Sequence, residues 1–190
     1  MIQYSEERSG QGDSSGRPAL ISADVTSKIA GFKVPSEFYF VLSEPAPLAG
    51  MVLPRPPGPD WEGLRTLGFR WVVCLCSDYP GYDPAPLEHL AKVELTDLVD
   101  GGEPGNPQME EKGIRILGKM VYEKLLAGEG VIVHCVGGRG RTGTVLGTIL
   151  RKFGYSADEA VDFLAALHRA RGRPGWPEAP WQQGVVERVS

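Results

Sequence analysis

Residues 131–147 read VIVHCVGGRGRTGTVLG. Val131-Ile132-Val133 is a short apolar run, the pattern of a strand buried on both faces. Cys135 follows, then Gly137, Gly138 and Gly140, then Arg141 and Thr142 at the head of a helix expected to reach Phe153. Glycines in such a turn let successive backbone N–H groups face inward, and a helix N-terminus points its positive dipole end at the same spot. The segment therefore reads as an anion cradle, with Val136, Gly137, Gly138, Arg139, Gly140 and Arg141 holding a phosphate. A cysteine at its floor sits in a positive field, which favours the nucleophilic thiolate. Arg141 returns to the rim six residues after Cys135, where its planar fork suits two phosphoryl oxygens. Thr142 is placed to donate a hydrogen bond to the sulfur, and His134 to orient the cysteine by bonding to the loop backbone. A nucleotide-binding loop needs Lys-Ser/Thr after its last glycine, where this chain has Arg141-Thr142. A lone buried cysteine is more often core packing, but this one has glycines, arginine and threonine in company.

Outward from this segment the chain alternates strands and helices. Glu37–Leu42 and Ala49–Leu53 read as strands joined by a proline-bearing turn, and Asp60 as the N-cap of a short helix stopped by Gly68. Arg70–Cys76 reads as a buried strand, Lys92–Thr96 as another, and 97–107 as a loop rich in Gly and Pro. Helical spacing at Ile114, Leu117, Val121 and Leu125 predicts a helix over 108–127, and Ser156 with Glu159 is a capping-box start for one reaching Arg169. A last helix is expected over 178–189. The fold class is α/β, a central mixed, largely parallel sheet flanked by helices, with the cysteine loop between a strand and a helix.

With 190 residues the chain suits one domain, expected over 21–190 behind a tail at 1–20 that lacks hydrophobic periodicity. Net charge −4 argues against nucleic-acid partners and polybasic membrane anchoring. No apolar run reaches bilayer length and the N-terminus lacks an apolar signal core, so neither a membrane span nor a secretory signal is expected. Three cysteines, an odd number, fit a reducing cytoplasm better than a disulfide scaffold. His89 and His168 have no partner at ligand spacing, so no metal or cofactor is expected. Arg169, Arg171 and Arg173 either recruit an anionic substrate or form a solvated face.

His134-Cys135-xxxxx-Arg141-Thr142 resembles the HCxxxxxR(S/T) signature of the cysteine-dependent protein-tyrosine-phosphatase superfamily. HCVGGRGR together with Asp100-Gly101-Gly102-Glu103-Pro104 is similar to its dual-specificity branch, of the cyclin-dependent-kinase-associated type. The resemblance implies attack of Cys135 on phosphorus, a phosphocysteine, and its hydrolysis by water. A phosphorylated protein or peptide is the expected substrate, and a monomer the expected working form. A carboxylic acid must protonate the leaving group. Asp100 matches the motif for that role, and Asp97 is its rival. Some relatives use a C-terminal glutamine to position water, for which Gln182 is the better candidate over Gln183. Arg139 either widens the site's appetite for anions or pairs with a nearby carboxylate. Cys76, at the end of its strand, resembles a cysteine that some relatives carry beside the nucleophile, and is a possible disulfide partner of Cys135, with Cys74 as the alternative. Other readings are a phosphoinositide or other non-protein phosphatase, against which stands Val136 where lipid-type loops carry lysine, and a phosphate-binding pseudoenzyme. A rhodanese-like sulfurtransferase would have no use for the acid loop.

Overall fold

The computed structural model describes residues 16–22, 31, 33–56, 58–77 and 81–189. Strands β1 (Phe38–Leu42), β2 (Leu48–Met51), β3 (Phe69–Cys74), β4 (Glu88–Lys92) and β5 (Gly130–His134) form one sheet in the order β1-β2-β5-β3-β4. Only β1 runs antiparallel to its neighbour; β2, β5, β3 and β4 are parallel. The mixed, largely parallel sheet is the expected one. Its middle strand is β5, in which every residue is buried, so the chain leaves the sheet centre directly into the cysteine loop.

Helices α1 (Trp61–Thr66), α2 (Pro107–Leu126), α3 (Gly140–Lys152), α4 (Ala157–Ala170) and α5 (Pro180–Glu187) cover the two faces unequally. Ile114, Leu117, Val121 and Leu125 of α2 pack with Leu146, Leu164 and Val185 in the larger core, and Leu64 of α1 joins Phe38, Phe69 and Ile132 in the smaller one. Asp60 caps α1 by accepting from the Gly63 N–H, and Ser156 and Glu159 form the expected capping box of α4. Asn106 caps α2 by accepting from the Met109 N–H.

Several boundaries shift: β3 ends at Cys74, so Cys76 lies two residues past its strand, and the last helix spans Pro180–Glu187 rather than 178–189. Two differences are larger. The strand expected over 92–96 lies at Glu88–Lys92, paired with β3 through Trp71↔Glu88 and Cys74↔Lys92. Beyond it the backbone keeps single bonds to the C-terminal end of β3, Val93 N–H to Cys74 O and Leu95 N–H to Leu75 O, without forming a ladder. The alternation of Val93 and Leu95 thus marked an extended segment running past the end of β3. Of the tail expected at 1–20, residues 1–15 lie outside the described residues. Its last part is docked: Arg17 bonds to Glu159 and the Gly154 carbonyl, Tyr155 donates to Pro18 O, and Leu20 bridges to Leu42. Among the described residues no helix is long and apolar enough to cross a membrane.

Candidate active site

The loop from His134 to Arg141 is shaped by its carbonyls. Leu53 N–H donates to Val136 O at 3.1 Å, Tyr39 Oη and Arg171 Nη1 donate to Gly138 O at 2.8 and 2.9 Å, and Trp176 Nε1 and Thr144 Oγ1 donate to Gly140 O at 3.2 and 2.9 Å. In a planar trans peptide a carbonyl and the following N–H point oppositely. Tying the carbonyls of 136, 138 and 140 outward therefore turns the N–H groups of Gly137, Arg139 and Arg141 toward the opposite, inner side. Gly138 has φ 59°, and a Cβ there would lie 2.5 Å from Met51 O, so the position demands glycine. Cys135 sits at the base of this turn, 2% exposed, and α3 begins at Gly140 behind it. A Cβ on Gly137 would meet nothing within 4 Å.

A buried layer braces the cradle. Arg171 is 4% exposed and donates to Gly138 O, Pro35 O, Ser36 O and His168 Nδ1 while lying 3.9 Å above the Tyr39 ring. His168 must be neutral to accept from a guanidinium, and its ring is pushed down to about 3, first by burial and then by Arg171 and the charges of Arg139 and Arg173. Of the three C-terminal arginines read as a recruiting or solvated face, Arg171 is thus a structural brace. Arg139 pairs with Glu178 at 2.8 Å, both largely buried. Its guanidinium is committed to that carboxylate, and only its backbone N–H remains as a contribution to the phosphate cradle. Gln182, read as a water-positioning candidate, is buried, and its Oε1 accepts from the Glu178 and Ala179 N–H groups at 2.8 and 3.3 Å. It caps α5, and its carbonyl oxygen is spent on that cap.

Arg141 is 8% exposed and donates through Nη2 to Asp97 Oδ2 at 2.7 Å and through Nη1 to Leu95 O at 3.4 Å. Asp97, half exposed, is therefore tied to the arginine at the rim, whereas Asp100 is exposed in the turn closed by Gly101 N–H to Leu98 O. Two expected bonds are not formed. Thr142 Oγ1 is buried and has no hydrogen-bond partner, so it does not donate to the Cys135 sulfur here. His134 does not bond to the loop backbone through its ring. Its Nε2 pairs with Tyr82 Oη, and its Nδ1 has no partner. The reason is strand alternation, which sets His134 with Ile132 toward the α1 face, where Tyr82 lies stacked on Trp61. Cys74 and Cys76 are buried free thiols beside that ring. The proximity of Cys76, and after it that of His134, lowers the Cys74 thiol, while the Cys74 neighbour raises the Cys76 thiol; burial raises both.

A family model described as PTP-SAK: Swiss Army Knife protein, DSP-PTPase phosphatase domain, matches residues 39–174. The chain belongs to this family. The match runs from Tyr39, which holds Gly138, to Pro174, which accepts from Arg139, and so covers the whole cradle with most of its braces. Tyrosine-protein phosphatase cdcA of Emericella nidulans is 29% identical over 131 residues, 68% of this chain and 20% of that protein. Protein tyrosine phosphatase type IVA 3 of Mus musculus is 29% identical over 108 residues, 57% of this chain and 60% of that protein. The chain thus spans between a fifth and three fifths of the curated relatives it matches. Among solved structures, Tk-PTP in the active form is 24% identical with TM-score 0.55, covering 75% of this chain and 90% of its own. Kinase associated phosphatase is 18% identical with TM-score 0.53, covering 74% and 84%. Both show the DSP-PTPase fold.

Within this family frame the residues that sequence reasoning missed are the braces. Tyr39 reads as an ordinary strand aromatic, and Trp176 and Glu178 sit in a proline-rich connection without periodicity. Arg171 is hidden in a run of three arginines. Each acts on the loop from more than 30 residues away in sequence. The one signal available was the burial-prone pair Trp176 and Tyr39, which gives no partner.

Proposed function

We propose that this chain hydrolyses phosphotyrosine in proteins or peptides, with phosphoserine and phosphothreonine as further substrates, through a phosphocysteine intermediate. The observation that carries this reading is a buried Cys135 at the floor of a loop whose Val136, Gly138 and Gly140 carbonyls are tied outward, with Arg141 at its rim. A dianionic phosphate meets inward N–H groups, the α3 N-terminus and a guanidinium without any of them having to be reorganised. Arg141 exchanges its bond to Asp97 for the phosphoryl oxygens. Cys135 attacks phosphorus and the ester oxygen leaves, taking its proton from Asp100 on the exposed loop. Asp100 then takes a proton from the water that cleaves the phosphocysteine. Thr142, whose buried hydroxyl has a hydrogen bond to give, donates to the sulfur as it leaves.

The substrate approaches along a cleft of about 380 Å³ beside Val136 and Gly137, flanked by Arg55, Arg173 and Glu37. Its mixed charges suit a peptide flanking the phosphoresidue better than a uniformly anionic headgroup. Three free thiols suit a reducing, cytoplasmic setting, and the working form we propose is a monomer. Cys76 lies near enough to Cys135 for their charges to act on each other. On peroxide, Cys135 is oxidised to a sulfenic acid, and attack by Cys76 expels water and leaves a disulfide.

The test is a panel of phosphotyrosine, phosphoserine and phosphothreonine peptides beside phosphoinositides, with acid quenching to trap a phosphorylated protein. Label on Cys135 and preference for phosphotyrosine peptides are expected. Turnover of phosphoinositides alone would overturn the substrate class, and turnover without label would overturn the intermediate.

A further inference from the structure

Behind the cradle, at the C-terminal edge of the sheet, the side chains of Cys74, Cys76 and His134 converge. One ligand-capable atom from each lies within 4.8 Å of the other two, and all three residues are buried. The convergence follows from topology. Cys74 and His134 are register partners on adjacent parallel strands, and Cys76 returns beside Cys74, whose sulfur donates to the Cys76 carbonyl at 3.1 Å. His134 adds an independent observation. It is 0% exposed, its Nε2 is engaged by Tyr82, and its Nδ1 has no hydrogen-bond partner. A buried imidazole nitrogen left unpaired is unfavourable unless something occupies it. A ligating histidine ordinarily has its other ring nitrogen held by a hydrogen bond, which is the place Tyr82 takes here.

We propose that Cys74, Cys76 and His134 form a binding site for a thiophilic divalent cation of the zinc type, with Nδ1 as the histidine ligand. Two thiolates and an imidazole are the donor set that zinc prefers, in tetrahedral geometry with one position left for an exogenous ligand. With Zn–S near 2.3 Å and Zn–N near 2.0 Å, tetrahedral ligand atoms stand roughly 3.5–3.8 Å apart, so from separations within 4.8 Å the cluster closes by at most about 1.3 Å. On binding, the two thiol protons leave to solvent, including the one Cys74 gives to the Cys76 carbonyl, and no electron is transferred. Cys135 takes no part, and the site does not depend on the phosphatase reading.

The experiment uses full-length Cys135→Ser protein, reduced and stripped with a chelator, so that the nucleophile cannot supply a thiolate. Zinc is titrated by calorimetry, and cobalt(II) is added separately as a spectroscopic probe. Expected are one zinc per chain, proton release, and a tetrahedral cobalt spectrum with sulfur-to-metal charge transfer. Adding Cys74→Ser or Cys76→Ser should weaken binding beyond the roughly 10–100-fold of an outer-shell change, and Tyr82→Phe should weaken it within that range. Absence of stoichiometric zinc and of the cobalt spectrum in folded Cys135→Ser protein overturns the proposal, as does affinity unchanged by either cysteine substitution. If one serine variant fails to fold, the cobalt spectrum of the parent protein still decides.

Discussion

The two loops that meet at the site, 134–141 and 95–106, are built in opposite ways. In the cysteine loop the carbonyls of Val136, Gly138 and Gly140 are held by donors from β1, α3, the segment after β2 and the α4–α5 connection, and Cys135, Gly138, Gly140 and Arg141 are buried. The other loop keeps Asp100 and Glu103 in solvent, and a Cβ on Gly101, Gly102 or Gly105 would meet nothing within 4 Å. Its ties include Arg141 to Asp97 and Leu95 O, Leu95 N–H to Leu75 O, Gly101 N–H to Leu98 O, and Glu110 to the Thr96 N–H and hydroxyl. A phosphate cradle must keep its dipoles fixed while charge moves, whereas a proton donor must approach and withdraw with the leaving group. On the proposed function, the difference in packing follows the difference in task.

The sharpest way to break this contrast is Cys135→Ser. It is expected to lower turnover at least about 10⁴-fold while phosphate binding, read by calorimetry, survives, because the cradle is backbone and Arg141. Loss of binding along with turnover would show that the loop is not preset. Next, Asp100→Asn should lower kcat about 10²–10⁴-fold on an aryl phosphate with a poor leaving group, and far less on one with a good leaving group. Asp97→Asn should mainly change KM, since it removes the competitor for Arg141. A leaving-group dependence in Asp97→Asn alone would exchange the two roles. Arg141→Lys is expected to cost about 10²–10³-fold in kcat/KM, because an ammonium cannot match two oxygens at once, and near-normal kinetics would put Arg141 outside the phosphate site.

The two loops should also differ in how much stability a glycine substitution costs. Gly138→Ala combines a positive φ with a backbone oxygen at 2.5 Å, whereas Gly102→Ala has the positive φ alone. The second should lower Tm by about 2–4 °C for each kcal/mol of left-handed strain, and the first by at least twice as much. Equal shifts would mean the cysteine loop is as yielding as its neighbour. The smallest effect concerns the brace. His168 is neutral in the fold down to about pH 3, while an unfolded histidine takes its proton near 6.5. Below pH 6.5 the unfolded state binds more protons, so folding stability falls as pH falls, by about 2 kcal/mol at pH 5. Urea unfolding at pH 7 and pH 5 should show that loss, and His168→Gln, which keeps an acceptor for Arg171, should reduce it.

Residue order alone specified the cysteine loop, the strand before it and the helix after it. Apolar residues, glycines and an arginine within 17 positions leave the chain few ways to fold locally. It also marked the caps at Asp60 and Ser156, whose bonds span three residues. Tertiary structure decided what each side chain spends its hydrogen bonds on. Arg139 went to Glu178, Gln182 to its own helix, His134 to Tyr82 and Arg141 to Asp97. Cys74-x-Cys76 was visible as spacing, but its meeting with His134 depends on β3 and β5 pairing in one register across about 60 residues. Local propensity is written along the chain, whereas a polar side chain's partner is set by which strands and helices the buried cores bring together.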